Sequence, residues 1–353
     1  MKILNLLTWL SKEKRNLNIR GICEQAGIPH QNVNSAINSL DSKFISAETA
    51  QKIIPVIEKF GFDTNANYFG KGTVLSLYNN KGGVGKTTSV INIGASLHRQ
   101  GYKVILIDTD PQASLTQDAL DIRPRKEGLN ELVDILNDEV PVEEAIYQVY
   151  EFEEDELNEK YQHFDIIPSS TKNRALSKAL VSGTSAISSV RCIYEKVIYH
   201  LRDKYDFIIL DCPPEELTAE PALYASDYVI VPMAPNKMDA SKAVNVIQTI
   251  NDANRSKKEN VACLGFLFTR VKKETKLHGN IIHDLEASFP TFNTVIRSNI
   301  IMEEFASAGV DVFRYVEEEL NKSNGTIVPA REDYKALAEE LILKLGKNGA
   351  EKK

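Results

Sequence analysis

A glycine-rich run with two lysines lies in the sequence LYNNKGGVGKTTSV, residues 77–90. Residues 85–87 (G-K-T) end a G-x-x-x-x-G-K-[ST] pattern, which wraps the phosphates of a nucleotide. The first glycine of that pattern would fall at position 80, but this chain has Asn80 there, followed by Lys81. The sequence therefore predicts a phosphate-binding loop with one lysine more than the ordinary pattern requires.

The residue types of this loop suit phosphate binding. Backbone N–H groups approach phosphate oxygens closely where glycine has no Cβ, and the following helix adds the positive end of its dipole. We expect Lys86 to reach the β- and γ-phosphates and the Thr87 hydroxyl to bind Mg²⁺. The alternative is a glycine-rich turn before an ordinary helix. The G-K-T sequence disfavours this alternative, because it lies between a predicted strand and a predicted helix. The predicted ATP-binding residues are Lys81, Gly82, Gly83, Val84, Gly85, Lys86, Thr87 and Thr88.

Three aspartates follow predicted strands further along the chain. Asp108 and Asp110 end the apolar run of VILIDTDPQASLT, and Asp211 ends that of YDFIILDCPP, where a Walker-B carboxylate holds Mg²⁺. One aspartate at a strand end is weak evidence, because turns favour this residue. Three motifs in the proper order on one scaffold predict a site for ATP and Mg²⁺.

From Thr73 onward the sequence alternates between short β-rich runs and helical periodicity. The runs are TVLSLYN, KVILID, FDIIP, DFIILD, DYVIVP and VACLGFLF. Strands that are apolar on both faces and separated by helices predict a parallel sheet covered on both sides. Such folds bind ligands at the carboxyl ends of the strands. The predicted fold class is α/β over residues 73–353, a parallel sheet flanked by helices of the P-loop NTPase type.

The first 70 residues have a different pattern. Leucines at helical spacing predict a leading helix over residues 1–16, which could mediate dimerisation. Residues 17–70 predict a small all-α helix-turn-helix domain, with two short helices around Gly27 and a third capped by Ser46. Pro55 is expected to bend or interrupt the third helix. A short GKG linker then leads to the sheet.

The sequences KGGVGKTT, DTDPQASLT and DFIILDCPP resemble the ParA family of partition ATPases. That family belongs to the deviant Walker-A class, with MinD and nitrogenase iron protein. The resemblance spans roughly residues 73–345. It implies that Lys81 crosses a nucleotide-sandwich dimer to the partner subunit's phosphates, and that Asp110 activates or positions the attacking water.

The resemblance also assigns the metal and the catalytic set. Thr87 and Asp211 would organise Mg²⁺, partly through water, with Asp108 as a further candidate ligand. The catalytic residues would be Lys81, Lys86 and Asp110. The implied reaction is the hydrolysis of ATP to ADP and phosphate, weak unless a partner stimulates it.

A cellular role follows from the same resemblance. It implies ATP-driven DNA segregation by a cytoplasmic, nucleoid-associated homodimer that binds nucleoid DNA nonspecifically in its ATP-bound state. The implied partner is a ParB-like centromere-binding protein. The helix-turn-helix would in addition bind operator DNA and repress the protein's own operon.

Residues 17–70 are similar to the DNA-binding headpiece of the lac-repressor family, on the sequences IRGICEQAGIPHQNVNSAIN and ISAETAQKIIPVIEKFGFDTN. This resemblance places His30, Gln31 and Asn34 at the start of the recognition helix, where side chains meet base edges. Ser35 departs from the pattern, since that family usually has arginine there. The alternative is a three-helix interaction module with no base readout.

A second candidate DNA contact lies in residues 255–276, which carry seven basic and two acidic residues on a chain of net charge −7. Such a local excess can bind phosphates without sequence preference. The predicted nonspecific contacts are Lys257, Lys258, Arg270, Lys272 and Lys273. A solvated surface is the alternative for this run. For the acidic residues 138–159 a solvated surface is the preferred interpretation, and no chemistry is assigned to them.

Other functions were weighed against partition. A MinD-like positioning ATPase needs a terminal membrane helix, and an apolar stripe from Tyr334 to Leu345 could supply one, although packing on the core is preferred. A transcriptional regulator with nucleotide as co-effector is a further alternative. An electron-transfer reductase needs cluster-ligating cysteines, which Cys192 and Cys263 do not suit. Scattered cysteines and the lack of a long apolar segment predict a soluble cytoplasmic protein with no membrane partner.

Overall fold

The structure is a computed structural model, which describes residues 6, 10, 17–39, 46–60, 62, 72–117, 129–149, 164–173, 189–254, 261–272, 275–298, 304, 310–316 and 328–351. Its secondary structure falls into two groups along the chain. The N-terminal group comprises α1 (Ile19–Ala26), α2 (His30–Ser39), α3 (Ala47–Ile57) and a 3₁₀ turn (Glu58–Phe60). The three helices lie where the sequence predicts them, around Gly27 and after Ser46.

Local chemistry sets the ends of the N-terminal helices. Asn18 caps α1 with its side chain, and α1 ends at Gly27, whose φ of 66° is left-handed backbone that suits glycine. The Ser46 side chain caps α3 by accepting a hydrogen bond from the N–H of Thr49, as predicted. Pro55 does not interrupt α3, which continues for two residues before the 3₁₀ turn. Its missing N–H falls in the last turn, where little of the helix remains to be disrupted.

The N-terminal helices share a hydrophobic core. Leu6 and Leu10, the two described residues of the predicted leading helix, are helical and buried in this core. Its other buried members are Ile22, Cys23, Val33, Ala36, Ile37, Ala50, Ile53, Val56, Ile57 and Phe62. The apolar faces of α1, α2 and α3 are therefore covered within residues 6–62.

Within the described residues, seven strands form one sheet in the order β3-β4-β2-β5-β1-β6-β7. The strands are β1 (Thr73–Leu77), β2 (Val104–Asp108), β3 (Tyr147–Gln148), β4 (Asp165–Ile167), β5 (Phe207–Asp211), β6 (Tyr228–Met233) and β7 (Ala262–Phe268). The six predicted strands are confirmed, and they pair in parallel. The unpredicted β3 is a two-residue strand antiparallel to β4. The sheet is therefore mostly, not wholly, parallel.

Helices connect these strands. They are α4 (Lys86–Arg99), α5 (Ser114–Gln117), α6 (Leu132–Leu136), α7 (Tyr199–Leu201), α8 (Glu216–Ala225), α9 (Lys237–Ala240), α10 (Ala243–Ala253), α11 (Lys276–Glu286), α12 (Val312–Tyr315) and α13 (Pro329–Glu351). Short 3₁₀ helices span Val142–Ala145 and Thr171–Asn173, and a π-helical turn, Tyr194–Ile198, leads into α7.

The sheet has a hydrophobic core on each face. Val74 belongs to the core shared with α8, α10 and α11, whereas the next residue, Leu75, belongs to the core shared with α4 and α13. Successive strand residues point to opposite faces, so both must be apolar when helices cover both sides. This arrangement leaves the carboxyl edge of the sheet for the loops that carry the predicted site.

The acidic segment 138–159 contributes to the fold as far as residue 149, beyond which it lies outside the described residues. Val142, Ala145 and Val149 are buried, and β3 lies within this part. Asp138 pairs with Lys196, with 2.6 Å between the carboxylate and the ammonium. The carboxylates of residues 138–149 are exposed, as the interpretation as a solvated surface predicts. The apolar side chains between them contribute in addition to the cores of the sheet.

The predicted apolar stripe on the C-terminal helix lies inside the protein. Tyr334, Leu337, Ala338 and Leu341 of α13 are buried in the core shared with α4. The stripe therefore packs on the sheet, as preferred. No helix among the described residues is long and apolar enough to cross a membrane.

Candidate nucleotide-binding site

The loop of residues 78–85 joins β1 to α4 at the carboxyl edge of the sheet. Gly83 and Gly85 have φ values of 72° and 83°, a left-handed backbone that side chains with a Cβ rarely adopt. Gly85 caps α4, so the loop runs directly into the positive end of the helix dipole. This geometry is that of an anion-binding loop.

Two side chains outside the predicted motif hold the loop in place. Asn79 Nδ2 donates to the carbonyl of Pro232 at 2.8 Å, and Asn79 Oδ1 accepts from the N–H of Lys81 at 3.1 Å. Thr269, just after β7, donates its hydroxyl to the carbonyl of Val84 at 2.8 Å. Because β6 and β7 supply these contacts, the loop depends on the sheet as well as on its own glycines.

The lysine and the threonine of the G-K-T motif lie in the first turn of α4 and contact different partners. Lys86 is buried, and its Nζ donates to the carbonyls of Lys81 at 3.1 Å and Asn79 at 3.4 Å. Thr87 Oγ1 donates to Asp211 Oδ2 at 2.7 Å. The ammonium therefore lies on the carbonyls of the loop, and the hydroxyl lies against the carboxylate at the end of β5.

Asp211 is fully buried, and one of its oxygens has no partner. The Oδ1 atom makes no hydrogen bond, whereas Oδ2 accepts from Thr87. Burial raises the pKa of Asp211 to about 7, against the opposing effects of the Thr87 hydrogen bond and the Lys86 charge. A buried carboxylate oxygen without a partner is a costly feature that a cation would relieve.

The donor set around Asp211 fits Mg²⁺. A carboxylate and a hydroxyl are hard oxygen ligands, and Mg²⁺ is commonly held by one or two such groups together with substrate phosphates. No cluster of three or more His, Cys, Asp or Glu side chains that could hold a metal occurs in the part of the chain that the structure describes. Metal binding here would therefore depend on nucleotide oxygens.

Asp108 and Asp110 have different environments. Asp108 is fully buried and accepts from the N–H of Asp110 (3.1 Å) and from the N–H and hydroxyl of Thr116 (3.0 and 2.7 Å). Burial, and next the charge of Asp211, raise the pKa of Asp108 well above its usual range. Asp110 is partly exposed and accepts from the N–H of Gln112 at 2.8 Å. Asp108 therefore shapes the loop, and Asp110 faces the site.

Further hydrogen bonds connect the loop of Asp108 and Asp110 to the residues that follow β4. Ser169 donates its hydroxyl to the carbonyl of Asp110 at 3.0 Å, and its N–H donates to Thr116 Oγ1 at 3.0 Å. Asn173 Nδ2 in turn donates to Ser169 Oγ at 2.6 Å. The position of the Asp110 loop therefore depends on the loop after β4.

Lys81, the additional lysine, contacts an aspartate of its own chain. Its Nζ lies 2.5 Å from Asp239 Oδ1, at the start of the helix that follows β6. The Asp239 side chain is 2% exposed and that of Lys81 is 39% exposed. The structure thus brings Lys81, Lys86, Thr87, Asp211 and Asp110 to one edge of the sheet and adds Asp239 to this set.

The family model of the AAA domain matches residues 72–263. The chain belongs to this AAA domain family. The matched residues include the phosphate-binding loop and all three predicted aspartates, and Thr269 lies just beyond them.

Curated relatives of this AAA-domain chain include proteins of chromosome partitioning. The chromosome-partitioning ATPase Soj of Treponema pallidum is 27% identical over 279 residues, 78% of this chain and 99% of the relative. The chromosome partitioning protein ParA of Caulobacter vibrioides is 28% identical over 245 residues, 69% of this chain and 86% of the relative. Family and relatives together support a P-loop ATPase of the ParA family, as the motifs predicted.

A solved structure gives the same fold with nucleotide present. The cobyrinic acid a,c-diamide synthase of Mycobacterium smegmatis, with bound ADP and magnesium, is 25% identical with a TM-score of 0.57. The match covers 70% of this chain and 96% of that structure. The predicted α/β fold of the P-loop NTPase type is confirmed.

Several residues of the AAA-domain site were not predicted from the sequence. Asn79, Thr269, Ser169 and Asp239 carry no motif of their own, and each acts through contacts between distant loops. One signal was available for Asp239, because Asn236 lies three residues before it, a spacing typical of helix starts. The Asn236 side chain does cap that helix.

The predicted DNA contacts are partly described. Gln31 and Asn34 are exposed on α2, and His30 at its start is partly buried. Arg270 and Lys272 are exposed after β7. Lys257, Lys258 and Lys273 lie outside the described residues. These DNA contacts stay predictions.

Proposed function

We propose that this chain is an ATP-dependent DNA segregation ATPase that works as a nucleotide-dependent homodimer with Mg²⁺. The observation that supports the proposal is the 2.7 Å contact between Thr87 and Asp211 near the buried Lys86, because an ammonium, a hydroxyl and a carboxylate are the groups that phosphates and Mg²⁺ require. The relatives named for chromosome partitioning supply the cellular role. ATP is the proposed substrate, and ADP and phosphate are the products.

The residues divide the work of phosphoryl transfer. Lys86 neutralises charge that spreads over the transferred phosphoryl group, and Thr87 and Asp211 hold the metal. When bound, Mg²⁺ would supply further neutralisation of the phosphates. Asp110 orients the attacking water through its carboxylate. Phosphoryl transfer depends chiefly on positioning and electrostatics, and these residues supply the part of both that lies within one subunit.

Asp110 provides a test of the catalytic assignment. Asp110→Ala should lower single-turnover ATP hydrolysis roughly tenfold or more, because the water loses its orienting acceptor, while ATP affinity changes little. Gln112→Ala, an exposed neighbour in the same loop, is the control. Wild-type turnover in Asp110→Ala would move the catalytic role elsewhere.

Lys81 is the residue proposed to make assembly depend on nucleotide. A lysine supplied to the partner subunit's phosphates makes charge neutralisation conditional on dimerisation. Lys81→Ala should retain ATP binding but remain monomeric with a non-hydrolysable ATP analogue and Mg²⁺ in sedimentation velocity. Lys335→Ala, an exposed lysine on α13, should dimerise normally. Nucleotide-dependent dimers of Lys81→Ala would refute the role.

The proposed operator contacts lie on α2. Exposed amides such as those of Gln31 and Asn34 suit base-edge recognition in the major groove. With the full chain, Gln31→Ala and Asn34→Ala should remove the preference for a selected sequence over random DNA in fluorescence anisotropy. Gln25→Ala, an exposed glutamine on α1, is the control. Equal affinity for selected and random DNA in the wild type would favour the interaction module instead.

The proposed nonspecific contacts follow β7. Arg270→Glu and Lys272→Glu should weaken binding to random DNA and reduce its salt dependence, because phosphate contacts release counterions. Lys335→Glu makes the same charge change on α13 and should leave the salt dependence unchanged. Unaltered binding by the first two variants would remove this surface from the proposal.

The proposed partner is a ParB-like centromere-binding protein, and the proposed location is the cytoplasm, in association with the nucleoid. Such a partner should raise the steady-state ATPase rate of the full chain. A ParB-like gene and DNA repeats beside this gene would favour partition. Their absence, together with nucleotide-dependent operator binding, would favour the transcriptional regulator.

A further inference from the structure

The Lys81–Asp239 ion pair joins the phosphate-binding loop to α9. Lys81 Nζ lies 2.5 Å from Asp239 Oδ1, across 158 residues of sequence. The other carboxylate oxygen of Asp239 accepts from Asn236 Nδ2 at 2.7 Å. The N–H of Asp239 donates to Asn236 Oδ1 at 2.9 Å, which holds the backbone of this carboxylate as well.

The two partners differ sharply in burial. The Asp239 side chain is 2% exposed, so its charge needs a partner within the protein. The Lys81 side chain is 39% exposed, so its ammonium can move into solvent or toward a second subunit without loss of hydration. Asp239 is therefore a fixed acceptor, and Lys81 is the mobile member of the pair.

We infer that Asp239 is a positioning residue that holds Lys81 within its own subunit and thereby sets the nucleotide concentration at which two copies assemble. This inference rests on the proposed role of Lys81 across a dimer. In this inference, contact with the phosphates of the partner subunit draws the Lys81 ammonium out of its 2.5 Å contact with Asp239. The two positions of Lys81 are alternatives, and Asp239 stabilises the one that does not support assembly.

The consequence is a shift in population. If only a fraction of the subunits have Lys81 released, the apparent affinity for assembly falls by that fraction. Nucleotide and the second subunit must then supply the interactions that replace Asp239. The chain therefore does not dimerise at low ATP concentration. The ATP concentration that dimerisation requires depends on how strongly Asp239 holds Lys81.

The Lys81→Ala variant has a second effect that this geometry reveals. It removes the proposed contact with the partner and also leaves the buried Asp239 carboxylate with Asn236 as its remaining side-chain contact among those described. Asp239→Asn avoids the problem, because an amide of the same size needs no counter-charge and the released lysine is already partly hydrated. It is the variant that separates the two effects.

The experiment is a titration of the full chain with a non-hydrolysable ATP analogue and Mg²⁺, followed by light scattering. Asp239→Asn should dimerise at roughly one tenth of the wild-type midpoint concentration, because the competing position of Lys81 is lost. Glu143→Gln is the matched control, since Glu143 also lies 2.5 Å from a lysine, Lys204. A purely structural role for Asp239 predicts the opposite, a weaker dimer.

Further variants separate this inference from the proposed function. The double variant that carries both Lys81→Ala and Asp239→Asn should not dimerise at the lower nucleotide concentration expected for Asp239→Asn, and it should remain monomeric. If that double variant dimerises as readily as Asp239→Asn, Lys81 has no role across the dimer and the proposed function fails. If the double variant is monomeric but Asp239→Asn has an unchanged or higher midpoint, the proposed function stands and the inference is overturned.

Asn236→Asp provides a second measurement in case Asp239→Asn does not fold. Aspartate caps a helix as well as asparagine does, so α9 is retained. The new carboxylate lies against Asp239 and removes the donor to Asp239 Oδ2, so Lys81 becomes the remaining described counter-charge for two carboxylates. The ammonium should therefore be held more firmly, and the midpoint should rise severalfold. An unchanged or lower midpoint in this variant would contradict the inference.

Discussion

The two ends of β1 satisfy their polar groups in different ways. At the amino end, Arg202 and Asp227 form a bidentate pair, and the same carboxylate accepts from the N–H of Val74 at 2.8 Å. Arg202 also donates to the carbonyl of Gly72 at 3.2 Å. Charges at this end are balanced within the chain.

At the carboxyl end, the charges are balanced only in part. Asp211 Oδ1 is buried without a partner, and burial raises the pKa of this carboxyl to about 7. Lys81 has a partner but is partly exposed. Groups whose pKa is displaced by burial concentrate at functional sites. The amino end of β1 thus has its charges paired within the chain, whereas the carboxyl end keeps a buried carboxylate oxygen that a bound cation would satisfy.

Matched glycine substitutions at the two ends should separate these roles most strongly. A Cβ at Gly72 would lie 2.2 Å from the carbonyl oxygen of Tyr205, whereas one at Gly82 meets nothing within 4 Å. Gly72→Ala should lower the free energy of unfolding by on the order of 3 kcal/mol in urea titrations, since backbone must move. Gly82→Ala should leave stability nearly unchanged and weaken ATP binding. Equal stability losses would remove the distinction.

Asp227→Asn tests the amino end by charge alone. The amide leaves Arg202 without its counter-charge, and the free energy of unfolding should fall by about 2 kcal/mol in urea titrations. ATP affinity of the folded protein should stay unchanged. Glu24→Gln, which removes an exposed ion pair with Arg20, should cost about 0–0.5 kcal/mol. A loss of ATP affinity in Asp227→Asn would contradict the division between the two ends.

The motif residues at the carboxyl end of β1 could be predicted from the sequence, whereas the contacts from distant loops that hold them in place could not. Gly85, Lys86 and Thr87 form a motif, and a strand–loop–helix pattern fixes where it must lie. Thr269 is 185 residues from the carbonyl it holds, and such contacts between loops have no period or spacing to recognise. Apolar runs likewise predicted six strands. The two-residue β3 is too short for alternation to be visible.

Most substitutions of buried residues lower the free energy of unfolding, but Asp211→Asn, at the carboxyl end of β1, should raise it. The native carboxyl has a pKa raised above its unfolded value, so its ionisation destabilises the fold as pH rises from about 4 to about 7. In EDTA, Asp211→Asn should be more stable than wild type above pH 7 and equally stable near pH 4. Mg²⁺-dependent ATP hydrolysis should be lost. Thermal denaturation across this pH range measures the difference, and lower stability above pH 7 would refute the assignment.

Thr269→Val should have the smallest effect on ATP binding and stability. It tests whether the loop at the carboxyl end of β1 depends on its contact with the residue that follows β7. Valine keeps the shape of threonine but leaves the carbonyl of Val84 without its 2.8 Å donor. We expect a loss of about 1 kcal/mol in ATP-binding free energy, measured by calorimetry, with a similar loss of stability. Thr269→Ser restores the hydroxyl and should recover ATP affinity. Because the hydroxyl holds the carbonyl of Val84, rescue by serine would show that loop position, not side-chain volume, limits binding. Equal weakening in both variants would assign the effect to packing.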